Sequence, residues 1–142
     1  MLPDWIPNIH PLIIHFPIAF ILLAPLVDLA SYFGKGSQWL QRTAHLLYIL
    51  SAVTTFPAYL AGKSAAKFVT DPNTFVTLAS HADRALATLN LVTILAIIRI
   101  FVWVKQSDSG HWLQICSTIL GFGALVLVTL TADQGGRLFS FR

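Results

Sequence analysis

Four apolar runs, each long enough to cross a bilayer, dominate this chain and leave it few folds to adopt. They cover roughly residues 12–32, 39–61, 78–104 and 112–132. A hydrocarbon core of about 30 Å needs about 20 helical residues at about 1.5 Å each. The runs are too long for membrane strands and lack the alternation of a barrel. Between them lie Gly34-Lys35-Gly36-Ser37, the stretch Lys63 to Thr77 around Asp71-Pro72-Asn73, and Lys105-Gln106-Ser107-Asp108-Ser109-Gly110. Such residues stop and turn helices, and short connections make successive helices antiparallel neighbours. The expected fold is all-α: one transmembrane domain over residues 1–142, an up-down four-helix bundle with both termini on one side.

Composition agrees. Charged residues make up 11 % of the chain and apolar residues 56 %, whereas soluble domains carry about 25 % charge. The expected solvent is therefore a lipid bilayer. The Lys and Arg residues are scattered, which argues against nucleic acid as a partner. No charged segment precedes the first run and no small-residue cleavage site follows it, so a retained helix is expected rather than a signal peptide. Trp5, Trp39, Trp103 and Trp112 fall near run ends, where aromatic belts sit. Basic residues are nearly balanced between the two sides. Lys63, Lys67, Arg84, Arg137 and Arg142 lie on the terminal side, and Lys35, Arg42, Arg99 and Lys105 on the other. The expectation leans towards termini outside the cytoplasm.

Four spans sort the polar residues onto two membrane boundaries. The terminal boundary collects His10, His15, Lys63, Lys67, His81, Asp83, Arg84, Asp133, Gly135, Gly136 and Arg137. The opposite one receives Asp28, Lys35, Arg42, His45, Arg99, Lys105, Asp108 and His111. Most of the unusual residues fall in the first group.

Neutral imidazole is a common metal ligand and a standard axial ligand of haem iron. A bis-histidine haem needs one imidazole from each of two helices at similar depth. His15 and His81 meet that condition at one boundary. His10 competes with His15. Five residues separate them, so at about 100° per residue they point about 140° apart and cannot both face one iron. Pro11 suits a helix start, which puts His10 near the N-cap and His15 one turn deeper. Arg84 shares a face with His81 and would pair with a haem propionate, as would Arg137, Lys63 or Lys67. His15, His81 and His10 are thus the candidate ligands for haem b or a metal. A bland alternative stands beside this, in which histidines near helix ends simply bond carbonyls or meet headgroups. A second haem at His45 and His111 is disfavoured, because their depths differ by about 11 Å. His45 is expected to hydrogen-bond inside the bundle. Gly121-Phe122-Gly123-Ala124 reads as a close-packing surface. Gly135-Gly136 reads as the stop and turn after the fourth helix, with backbone able to approach an anion. No nucleophile arrangement, phosphate loop or paired carboxylates suggest independent enzyme activity.

His10-Pro11 followed by His15-Phe16-Pro17 resembles the opening of a bacterial membrane family, domain of unknown function 2231. The resemblance continues in Pro57-Ala58-Tyr59-Leu60-Ala61-Gly62, in His81, and in Gly135-Gly136-Arg137-Leu138-Phe139. It implies a multi-pass protein of a bacterial inner membrane, haem-binding, with His10, His15 and His81 as signature residues. It implies no activity. The leading functional expectation is a haem b or metal-binding subunit passing electrons within a membrane redox complex, with other redox subunits or a quinone as partners. The alternative is a non-catalytic scaffold or assembly subunit of a larger complex. A metal or proton pathway ranks last, and an oligomer is compatible with each.

Overall fold

The computed structural model describes residues 13–34, 38–67, 72–105 and 110–140, with side chains for all of these except 72–75, 110 and 136–140. Four helices account for nearly all of it: α1 (His15–Phe33), α2 (Gln38–Ala66), α3 (Pro72–Lys105) and α4 (Gly110–Ser140). All four are long and apolar enough to cross a membrane. No strand occurs among the described residues.

The helices pack in a ring. α1 lies against α2 and α4, and α3 lies against the same two, so α1 and α3 face each other across a diagonal. Neighbours run antiparallel. His81 near the start of α3 meets Thr131 near the end of α4. His45 near the start of α2 stacks on Trp103 near the end of α3. Asp28 near the end of α1 meets Gln114 near the start of α4. The expected all-α, up-down membrane bundle is the observed fold.

Local sequence sets the helix limits. Pro17 lies in the first turn of α1, where a missing amide is harmless. Pro25 is buried in the middle of α1, and its ring takes away the amide that would reach the Ile21 carbonyl. The Gly34 amide makes the last contact of α1, 3.1 Å from the Ala30 carbonyl, and its extended backbone ends the helix. Pro72 opens α3 at the position proline favours.

The helices outrun the apolar runs at several ends. α2 continues to Ala66, α3 begins at Pro72, and α4 continues to Ser140. Outside the hydrocarbon a helix needs no apolar sequence, only continued backbone bonding, so polar turns extend it. The expected stop at Gly135-Gly136 is corrected here, because both residues lie inside α4. Glycine in a helix costs only about 1 kcal/mol relative to alanine, too little to end a long packed helix.

The interior is apolar in the middle and richer in polar side chains at its two ends. Ile21, Ala24, Tyr48, Val92, Leu95, Ala124 and Val128 form the buried apolar middle. Buried polar side chains flank them: Asp28, Ser31, His45, Arg99, Gln114, Ser117 and Thr118 towards one end, Thr88 and Thr131 towards the other, with the small apolar Ala44 and Ala58 buried among the polar groups. Leu26, Phe33, Val53, Ile97, Val104, Ile119 and Val126 face outwards. In lipid this outward apolar surface costs nothing, and polar groups gain most by pairing inside.

Candidate functional site: a buried ion pair and a separate histidine end

The strongest polar centre is built on Asp28 and Arg99. Both side chains are 0 % exposed. The guanidinium forks onto the carboxylate. Nη1 donates to Oδ1 at 3.1 Å, and Nη2 meets Oδ2 as the second tooth. This bidentate geometry is the strong form of an Arg–carboxylate pair. It ties α1 to α3 across the diagonal.

α4 fills the remaining positions. Gln114, Ser117 and Thr118 fall at i, i+3 and i+4, which places them on one helix face. Gln114 donates its amide to Asp28 Oδ1 at 3.4 Å. The Gln114 carbonyl accepts from Arg99 Nη2 at 3.3 Å. The Thr118 hydroxyl contacts Asp28 Oδ2, lies 2.8 Å from the Gln114 carbonyl, and accepts from Arg99 Nη2 at 3.1 Å. It has a single hydrogen, so carboxylate and carbonyl compete for it. Tyr32, one turn beyond Asp28 on α1, lies 3.1 Å from the same hydroxyl.

α2 closes the site with an aromatic face. The Arg99 Cζ sits 4.5 Å above the centre of the Tyr48 ring, a cation–π distance. The Tyr48 hydroxyl reaches the Ser117 carbonyl at 3.5 Å. Gly121 makes room for that ring, because a Cβ there would collide with the Tyr48 hydroxyl. The small-residue tract thus packs an aromatic side chain at Gly121, whereas a Cβ at Gly123 would meet nothing. The sequence reading did not join Asp28 to Arg99. A usable signal was present: two opposite charges, each one to two turns inside an apolar run, at the same boundary. Uncompensated charges at that depth are costly, so they attract each other.

His45 lies on the same seam. It is buried and stacks on Trp103 with centroids 6.0 Å apart and planes 8° from parallel. Its Nδ1 has no hydrogen-bond partner. The expected hydrogen bond inside the bundle is replaced by this stack. His111 lies apart, exposed at the start of α4, its ring edge-on to Tyr32 at 6.4 Å.

The other end holds the sequence-derived candidates. His81 is half-buried on α3, with its Nδ1 3.1 Å from the Thr131 carbonyl. A Cβ on Gly135 would sit 3.2 Å from the His81 Cε1, so the absent side chain lets the imidazole lie against α4. Gln134 donates to Ser80 Oγ at 2.9 Å. His15 is exposed at the first residue of α1, and Arg84 is half-buried one turn after His81. His10 and the side chains of Gly136 and Arg137 lie outside the described residues. The structure therefore joins His81 to Gly135, and leaves His15 exposed at the first residue of α1. Among the described residues no group of three or more His, Cys, Asp or Glu side chains could hold a metal ion.

The two ends are not connected. Eighteen residues of α3 separate His81 from Arg99, about 27 Å along the axis. Val92 and Leu95 lie between them in the apolar middle.

No curated protein and no solved structure matches this chain. Four membrane-length helices, an apolar exterior and charges paired in the interior make this an integral, multi-pass membrane protein. The sequence model of DUF2231, a family described as predicted membrane proteins, matches residues 6–140, and the chain belongs to that family.

Proposed function

We propose that this protein is a haem b-binding subunit of a membrane redox complex, with His81 as an axial ligand. One observation carries the reading, the seating of His81. Its Nδ1 is engaged by the Thr131 carbonyl, and no other hydrogen bond of the ring is made among the described residues. Metal-ligating histidines use one nitrogen for the metal and bond the other to a carbonyl or carboxylate, which fixes tautomer and ring orientation. Gly135 provides the bare backbone against which the ring is held. The chemistry of an imidazole so oriented fits an axial position. His15, with His10 as its competitor, supplies the second ligand from α1. Arg84, one turn after His81, would pair with a propionate, as would Arg137, which follows Gly135-Gly136 in the sequence. A bis-histidine haem supplies one-electron transfer without an open iron position. The chain's own residues orient the ligand, Thr131 through its carbonyl and Gly135 through its bare backbone. Partner redox subunits or a quinone would be the electron donors and acceptors.

The test is an absorption spectrum of the purified, haem-supplemented protein, oxidised and reduced. The expected result is a sharp low-spin reduced spectrum that His81→Ala abolishes or converts. Gly135→Val, which pushes the ring off α4, should perturb it. His111→Ala, at the other boundary, should leave it unchanged. A protein that binds no haem under these conditions overturns the reading.

A second reading, a non-catalytic scaffold or assembly subunit, is favoured by the Asp28–Arg99 centre. Its carboxylate accepts from Arg99, Gln114 and Thr118 at once. Groups so occupied hold helices together and leave little for a substrate.

A further inference from the structure

We propose that one water molecule is bound inside the membrane domain on the α2–α3 seam, accepting from Arg99 Nε–H and donating to His45 Nδ1. Two orphaned atoms carry the inference. Arg99 is 0 % exposed and His45 is 6 % exposed, yet Arg99 Nε and His45 Nδ1 have no hydrogen-bond partner. One is an obligatory donor, and the other is an acceptor in the tautomer that carries its proton on Nε2. In a bilayer neither can turn to bulk solvent, and an unmade hydrogen bond there is costly. Buried waters are found at such polar groups.

The spacing suits a single water. His45 precedes Tyr48 by three residues on α2, and Trp103 follows Arg99 by four on α3. The His45–Trp103 stack and the Tyr48–Arg99 stack are therefore consecutive layers of one seam. At about 1.5 Å per residue the layers are about 5 Å apart along the axis. A water making two hydrogen bonds of about 2.8 Å reaches between groups on consecutive layers of this kind.

The water gives the bundle something the direct contacts lack. α1, α3 and α4 share the Asp28–Arg99 network through charged or short hydrogen bonds. α2 joins it through the Tyr48 face and a 3.5 Å contact to Ser117. A bridged His45 ties the start of α2 into the same network.

The experiment is solid-state NMR of the full chain, with labelled arginine and histidine nitrogens, in phosphatidylcholine–phosphatidylglycerol vesicles. The Arg99 Nε resonance is assigned by its loss in Arg99→Lys. The expected result is magnetisation transfer from water to Arg99 Nε–H, lost in His45→Phe, which keeps a ring on Trp103 and removes both nitrogens. Absence of transfer in the unsubstituted protein, or unchanged transfer in His45→Phe, overturns the proposal. Should His45→Phe fail to fold, the unsubstituted protein still decides. An unprotonated Nδ1 correlated to water supports the bridge, and a protonated or uncorrelated Nδ1 refutes it.

Discussion

Removing one member of the Asp28–Arg99 pair should cost far more than removing both. In Arg99→Met the carboxylate, 0 % exposed, keeps only the Gln114 amide and the Thr118 hydroxyl. The hydroxyl has one hydrogen and a competing acceptor in the Gln114 carbonyl. Two charge-assisted hydrogen bonds disappear, at about 1.5–3 kcal/mol each. Breaking a buried pair costs about 3–5 kcal/mol in soluble proteins. Helices already inserted in lipid find alternative partners when unfolded, which reduces the expected loss to about 2–4 kcal/mol. Asp28→Asn should lose somewhat less, because the cation keeps Thr118, the Gln114 carbonyl and the Tyr48 face. The double variant Asp28→Leu with Arg99→Met carries no orphaned charge, so it should lie within about 1 kcal/mol of the unsubstituted protein, since apolar replacement of a buried pair is often neutral. The assay is reversible unfolding in mixed detergent–SDS micelles, followed by circular dichroism, over the full cycle including Asp28→Leu alone. A coupling energy below about 1 kcal/mol, or a double variant as unstable as the sum of the singles, would refute the reasoning.

Two further outcomes follow from the same structure. Gly121→Val should destabilise the bundle by about 1–3 kcal/mol, the usual cost of overpacking, because its Cβ meets the Tyr48 hydroxyl; Gly123→Val, with nothing within reach, is the control and should be neutral in the same unfolding assay. Reporter fusions at Met1 and Arg142 should give the same compartment, as four crossings require; opposite compartments would refute the four-span topology.

Much of the architecture was legible in the residues. Lipid imposes two demands, that spanning segments be apolar for about 20 residues and that their backbone be internally bonded. Both are local, so four runs such as those around Leu22, Leu50, Ile94 and Leu125 announce four helices without any knowledge of contacts. Short breaks then order neighbours around the ring. Helix ends were less legible: α4 runs through Gly135-Gly136 because continued packing outweighs a weak local preference. There Gly135 serves a contact with His81 on another helix, which spacing along one chain cannot reveal.

The site is where tertiary structure decided. The sequence places Asp28 and Arg99 at one boundary, and it says how costly each charge would be alone. It does not say which helix faces meet. Asp28 and Arg99 are 71 residues apart, and only the diagonal packing of α1 and α3, with the small face of α4 closing in beside Tyr48, turns two liabilities into one bidentate pair. The same holds for the histidines. Depth is written in position along a helix, because the rise per residue is constant; facing depends on how each helix is rotated against its neighbours. His15 and His81 lie near the same boundary, His15 exposed at the first residue of α1 and His81 held by α4 through a carbonyl that no local pattern foretells.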